Sequence, residues 1–425
     1  MNTNVKSLFE KGAIKNSQQQ IDSVSNEIRT YVDAKRGFLI PTITALTPYK
    51  DPARNFSELH QVEELLLEAI AHKASDIFIH ADQPVTMLKD LDLYSITHRP
   101  INQKEADFFL AVVAGGDIAT SVLKKNKKIN RAFRLYKTIG GVATRYNFRV
   151  NASQTTFKGS SETFQLVLRI IATEPPDFDK IGLDEDFLKL TLPHSGIYVI
   201  GGVTGSGKST TLAATFKYIL QNFTHIRGNI LTHNDPIEYE FDGVQSSHSQ
   251  VVQSEIPTNF ETFADANAEA MRRRPAAVEI GELRLKSSIN AAIEIAMTGH
   301  PVFATVHATT VAKIIPRLLN RFDHTEQAQA AADIIGSSHT FIAQRLIKNV
   351  AGKVFAVREH LILTPENIDE MLDLPDVQQQ QNYIRKLMNQ SDGSDPRISL
   401  TFLKQAERLK ANGTIDQANF LKLMG

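Results

Sequence analysis

The stretch "VIGGVTGSGKSTTLAA", residues 199–214, constrains this chain more than any other, because it sets a glycine-rich turn between an apolar run and a helical pattern. Residues 202–209 fit G-x-x-x-x-G-K-[ST], and they fall between a strand, "GIYVI", and a helix, "STTLAATFKYIL". The chemistry explains the residue types. Gly202, Gly205 and Gly207 let backbone N–H groups converge on phosphates, and the helix that follows adds its positive N-terminal end. Lys208 reaches the β- and γ-phosphates, and the Ser209 hydroxyl can ligate Mg²⁺. Thr204, Ser206 and Thr210 complete the candidate nucleotide-binding set, so ATP and Mg²⁺ are the expected ligands.

Three further apolar runs, "GNILTH", "AAVEI" and "PVFATVH", alternate with helical segments, which predicts a parallel α/β sheet around that loop. At 425 residues the chain exceeds one ordinary core. "ATEPPDFDKIGLDEDF", with its Pro-Pro among acidic residues, marks a linker at 173–186. Ahead of it, 56–172 reads as an α+β domain. Ser57 is the expected N-cap of a helix with Leu59, Val62, Leu65, Leu66, Ala69 and Ile70 on one face. "DIFIH", "VTMLKDLDLYSI", "RYNFRVNAS" and "FQLVLRI" read as strands, with a second helix near 105–114. Alternation over 145–151 sends Tyr146, Phe148 and Val150 to one face and Arg145, Asn147, Arg149 and Asn151 to the other. Residues 1–55 are polar and read as a partly helical or mobile extension. The α/β domain spans 187–365, and 366–425 forms a helical tail whose last two helices break at Asn412-Gly413.

Hydrolysis at a phosphate cradle needs one carboxylate to position water and another to hold the Mg²⁺ shell. "NILTHNDPIEYEF" places Asp235 and Glu238 after one strand, and "AAVEIGELR" places Glu282 and Arg284 after another. Carboxyl ends of strands are where an open α/β sheet collects its ligand-binding groups. Glu279 competes with Glu282 for the second role, and alternation along "AVEIGE" also allows it to be a polar edge residue. His300 and His307 bracket the apolar "PVFATV" without a third partner at ligand spacing, which speaks against zinc.

Taken in order, these blocks resemble the type II/IV secretion ATPase family of PilT-like retraction motors and GspE-like assembly motors. "GGVTGSGKSTT" is similar to its Walker A, "DPIEYEFDG" to its Asp box, "EIGELR" to its Walker B segment and "AMTGHPVFATVHATT" to its His box. "ASDIFIH" and "FIAQRLIKNVAGKVFAVREHLIL" extend the resemblance over 57 to about 365. It implies a PAS-like N-domain joined to a RecA-like motor domain, in a homohexamer with ATP between neighbouring subunits. Carried over to matching positions, Lys208, Ser209 and Thr210 bind phosphate and Mg²⁺, and Glu238 orients or deprotonates the attacking water. Glu282 supports the metal and its water shell. His307, and secondarily His300, senses the γ-phosphate, while Arg149 and Arg169 resemble N-domain arginines that approach ATP; a solvated strand face is the other reading of these two. Three positions depart from the family pattern. Asn234 stands where Glu commonly precedes Asp-Pro, "RRRPAAVEI" replaces an Asp-Pro-Asp lead, and Leu285 takes the place of an aspartate. "TGHPVFATVHATTVAKIIPRLLNRF" and the polar N-terminal extension look closest to the DotB/TraJ branch, which serves type IVB secretion and conjugative transfer.

Charge narrows the alternatives. Lys+Arg and Asp+Glu both total 47, so no global field draws the chain to nucleic acid, and "KKNKK" at 124–128 and "RRRP" at 272–275 are local runs. No direct nucleic-acid binding is expected. A pilus retraction or assembly ATPase is the nearest alternative, followed by a nucleic-acid translocating motor and a module that binds ATP without turning it over. With no cysteine there are no disulfides, and no apolar run reaches the roughly 18 residues of a membrane span. The expectation is a cytoplasmic protein, peripheral at the inner membrane, whose partners are secretion, conjugation or pilus components.

Overall fold

Apolar spacing gives the first helix, Leu59–Ala71, its buried face of Val62, Leu65, Leu66 and Ala69. Its N-cap is Glu58 rather than Ser57, because Gln61 reaches back and its Oε1 accepts from the backbone N–H groups of Ser57 and Glu58 at 2.9 and 3.1 Å. A side chain inside the helix thus satisfies donors that a serine hydroxyl was expected to serve. Leu59 consequently lies outside the buried face, 54% exposed. The structure, a computed structural model, describes residues 29–33, 38–42, 55–89, 92–139, 142–157, 160–171 and 174–424.

The chain divides into two compact units, Met1–Ile171 and Ala172–Gly425. The first is built on strands β1 (Arg29–Asp33), β2 (Phe38–Thr42), β3 (Asp76–His80), β4 (Thr86–Lys89), β5 (Asp92–Ser95), β6 (Lys128–Ile139), β7 (Val142–Phe157) and β8 (Ser160–Ile171). They form one sheet in the order β1-β2-β5-β4-β3-β8-β7-β6. Two strands therefore lie inside the segment read as a polar extension; "RTYVD" and "FLIPT" carry the β-branched and aromatic residues that suit a pleated surface. The reading of 1–28 lies outside the described residues. Phe148 and Val150 of β7 are fully buried, as the alternation predicts, and Ala152 continues their face. Against this face packs the helix Gln103–Ala114, whose Glu105 is wholly buried. Arg99 grips that carboxylate with both terminal nitrogens, at 2.9 and 2.6 Å, and the backbone N–H groups of Phe56 and Asn102 donate to it at 2.8 Å each. Burial pushes Glu105 up, but these bonds together hold it below its ordinary value.

The second unit holds β9 (Gly196–Gly201), β10 (Gly228–Asn234), β11 (Ser249–Glu255), β12 (Pro275–Ile280), β13 (Pro301–Val306), β14 (Ser338–Lys348) and β15 (Val354–Ile362), in the order β11-β10-β12-β13-β9-β14-β15. All pairings are parallel except the edge pair β14–β15. The four strands expected from apolar runs are β9, β10, β12 and β13, and both faces of the sheet are covered. On one side the helix Lys208–Gln221 packs Phe216 against Phe303 of β13, ring centroids 5.0 Å apart. Burying such a side chain stabilises by about 1.5–3 kcal/mol. Within the stretch read as a linker, Phe178, Ile181 and Leu183 pack into this layer, and the helix Glu185–Thr191 starts on an Asp184 cap. On the other side, Met371, Ile384, Met388, Phe402, Ala406 and Leu423 of the tail join the main core of the unit. The tail is thus a layer of the second unit, and its last helices, Phe402–Ala411 and Gln417–Met424, break where expected. Among the described residues no single helix is long and apolar enough to cross a membrane.

Candidate functional site

The glycine-rich loop leaves the carboxyl end of β9, a central strand, and closes on Gly207, which caps the helix Lys208–Gln221 at φ +81°, a left-handed conformation costly for any residue with a Cβ. A Cβ on Gly202 would fall 2.3 Å from Ser206 Oγ and 2.8 Å from Gln344 O, so the turn closes only around a bare Cα. Lys208 is buried, with Nζ donating to the carbonyl oxygens of Gly202 and Val203 at 3.0 and 3.1 Å. Burial lowers its pKa, against the pull of Glu282 and Glu238. Ser206 Oγ is buried with no hydrogen-bond partner among the described residues. Ser209 and Thr210 lie half-buried in the first helical turn, and Thr204 and Gly205 form the exposed rim. A helix N-terminus, a buried ammonium and waiting hydroxyls are the donor set that an oligophosphate and its hard cation require.

The loop rests on groups that have no local motif. Gln344 of β14 donates from Nε2 to Ser206 O at 2.5 Å, and its Oε1 accepts from Thr211 Oγ1 at 2.8 Å and from Arg358 Nε at 2.7 Å. Arg358 of β15 also donates to the carbonyl oxygens of Gly182 and Ile181, at 3.0 and 3.1 Å, and to Thr211 Oγ1 at 3.4 Å. Its acceptors are neutral, and burial pulls its pKa down to about 10. Gln344 and Arg358 face each other in the β14–β15 register, so the hairpin that quotes the family's last block is the floor of the loop.

The carboxylates gather at the same edge. Glu238 is exposed on the loop after β10, and its neighbour Tyr239 pins that loop to the helix through a 2.9 Å bond between Tyr239 OH and Thr210 Oγ1. Glu282 follows β12, where it accepts from Arg284 at 2.8 Å and meets His307 Nε2 at 3.2 Å. His307 directly follows β13. The structure therefore brings Lys208, Glu238, Glu282, Arg284 and His307 to one edge. His300 does not join them: it precedes β13, at the opposite edge, with its carbonyl accepting from Gly196 N and its ring against Thr298 Oγ1. Within this chain the whole of β13 separates His300 from the loop. Glu279, which alternation allowed as a polar edge residue, is next to last in β12. It is 7% exposed, accepts from Asn234 Nδ2 at 3.1 Å, and burial pushes it up to about 7.

The arginines belong to the first unit. Arg149 and Arg169 stand directly opposite each other in the β7–β8 register, and Asp76 of β3 takes the next place in the row, accepting from Arg169 Nε at 2.8 Å. Like charges directly opposed destabilise a ladder, and Asp76 offsets only one of them.

Loop, strand order and edge residues together define a RecA-like P-loop motor unit preceded by an N-terminal domain. The family described as "Type II/IV secretion system protein" matches residues 56–391, and the chain belongs to it. The type IV pilus retractation ATPase PilT of Pseudomonas aeruginosa is 31% identical over 304 residues, 72% of this chain and 83% of that protein. The crystal structure of the ATPase DotB from Yersinia pseudotuberculosis superposes with a TM-score of 0.79 at 34% identity, covering 91% of this chain and 99% of its own. That of the pilus retraction motor PilT with bound ADP gives 0.70 at 27% identity, covering 85% and 96%.

Proposed function

We propose that the protein hydrolyses ATP as a homohexameric motor and energises a type IVB-like secretion or conjugative transfer apparatus from the cytoplasmic face of the inner membrane. The observation that carries this reading is the placement of Lys208, Glu238 and Glu282 at one edge of the sheet, with Glu282 meeting His307 Nε2 at 3.2 Å. ADP in the related PilT structure supports the nucleotide, and the DotB likeness supports the branch. In this reading Gly202, Thr204, Gly205, Ser206, Gly207 and Thr210 line the phosphate cradle, and Lys208 exchanges its loop carbonyls for phosphate oxygens. Ser209 Oγ and Glu282 would hold Mg²⁺, which would supply positive charge against the phosphates. Glu238 orients the attacking water. Arg284 keeps Glu282 paired, His307 senses the γ-phosphate through Glu282, and Arg149 and Arg169 supply cationic charge from an N-domain. The working division is a 1–55 extension, a 56–172 N-domain, a 173–186 linker, a 187–365 motor and a 366–425 tail.

Phosphate release by the purified hexamer tests the chemistry. Lys208→Ala and Glu238→Ala are each expected to abolish it with the fold retained; unchanged release in both would overturn the site. The PilT likeness favours a second reading, pilus retraction. Deleting the gene in its host separates the two: loss of transfer or secretion with intact twitching supports the first, and loss of twitching alone supports the second.

A further inference from the structure

Two strands end side by side at the carboxyl edge, and their polar ends are joined. β10 stops at Asn234, an amide that can orient water but cannot take its proton. β12 beside it carries Glu279, whose carboxyl lies between Thr232 and Phe303 of the flanking strands on the face covered by the P-loop helix. The charged group acting on it is Glu238, on the loop that continues β10. Among the described residues no cation pairs with it, and one amide hydrogen bond is a small return for a carboxyl at 7% exposure. An aliphatic residue would serve the sheet better, so the sheet is not what Glu279 serves.

We propose that Glu279, working with Asn234 across the strand gap, is the proton acceptor for the attacking water. The inference rests on the hydrolysis proposed above. Asn234 turns Nδ2 to Glu279, which leaves its Oδ1 to accept one hydrogen of the water. The water oxygen bonds to the γ-phosphorus as the bridging P–O bond breaks, and ADP keeps the electron pair of that bond. The other water proton passes to Glu279 and then to bulk solvent, so that ATP and water yield ADP, phosphate and one proton. A carboxyl held near neutrality by burial suits the task, since a base works best when its pKa lies close to the working pH.

The test compares ATP hydrolysis with ATP binding in the full-length chain. Glu279→Gln, equal in shape, is expected to lower kcat by about 10²–10⁴ with nucleotide affinity and melting temperature unchanged. Moving the carboxylate across the gap, in the double variant Asn234→Glu with Glu279→Gln, is expected to recover at least about tenfold of that loss. Its rate should also titrate at lower pH than the wild-type limb near 7, because residue 234 is less buried. Wild-type kcat in Glu279→Gln, or no recovery in the double variant, overturns the proposal. Should Glu279→Gln fail to fold, Asn234→Asp decides: a second carboxylate beside Glu279 must push the limb upward, and an unmoved limb sinks the idea. A wild-type protein that binds no ATP would defeat the functional reading instead.

Discussion

The two sheets of this chain keep their charges in opposite places. In the first, Arg149 and Arg169 stand opposite each other inside β7 and β8, and Asp76, the first residue of β3, takes the next place in the row. In the second, β13 is buried along its whole length, and Lys208, Glu238, Glu279 and Glu282 cluster where strands stop. A largely antiparallel sheet can carry an exposed or half-exposed charge part-way along a strand, as it does at Arg149 and Arg169, whereas a parallel sheet covered on both sides has room for one only at its ends. Charge placement in the first unit is thus a choice made residue by residue, and in the second it follows from topology.

The arginine row is where this comparison is easiest to break. If Arg149 and Arg169 serve the nucleotide, replacing either by Ala lowers kcat by about 10³–10⁵, as loss of an arginine finger does; the melting temperature holds for Arg149→Ala and falls for Arg169→Ala, which leaves the buried Asp76 without its partner. An unchanged steady-state rate would return them to an ordinary wet face. Buried anchors sharpen the contrast at smaller cost. Glu105→Ala removes a buried carboxylate that Arg99 and the backbone N–H groups of Phe56 and Asn102 all hold, and is expected to destabilise the first unit by about 3–5 kcal/mol in urea unfolding. Because the folded pKa of Glu105 lies below its ordinary 4.5, the unfolded chain binds the extra proton, so this stability is present above about pH 4.5 and drains away as pH falls further. The second unit anchors its loop with a neutral group instead. Gln344→Ala leaves Ser206 O without its donor and is expected to cost about 1–3 kcal/mol, with no pH dependence of its own. A raised KM for ATP would accompany it.

Much of the second unit is legible in the sequence because its strands are continuous apolar runs and its loop obeys a motif. What escapes does so for physical reasons. β11, "SQVVQSE", is an edge strand with a half-wet pattern, and β6, "KINRAFRLYKTI", hides its period under lysines and arginines. "VQQQQNYIRKLMNQ" looks like low complexity, yet it is a helix, Val377–Gln390, that buries only Gln380, Ile384 and Met388. Glu238, Glu282, Arg284 and His307 could be placed at one edge because each follows a readable strand. His300 and His307 look equivalent in the same local view, since a histidine before a strand and one after it differ only once the strand is given a direction. Gln344, Arg358 and the Asn234–Glu279 pair need long-range partners, and the only local signal for the last was Asn234, a departure from the family pattern whose side chain reaches Glu279 on the neighbouring strand.

Arg358 has one more consequence. A guanidinium is planar and stiff, and this one is bolted at once to the carbonyls of Ile181 and Gly182, where the chain enters the second unit, and to Gln344, which holds Ser206. None of its acceptors is a carboxylate that a passing proton could release. One side chain thus ties the phosphate loop to the stretch where the chain enters the second unit.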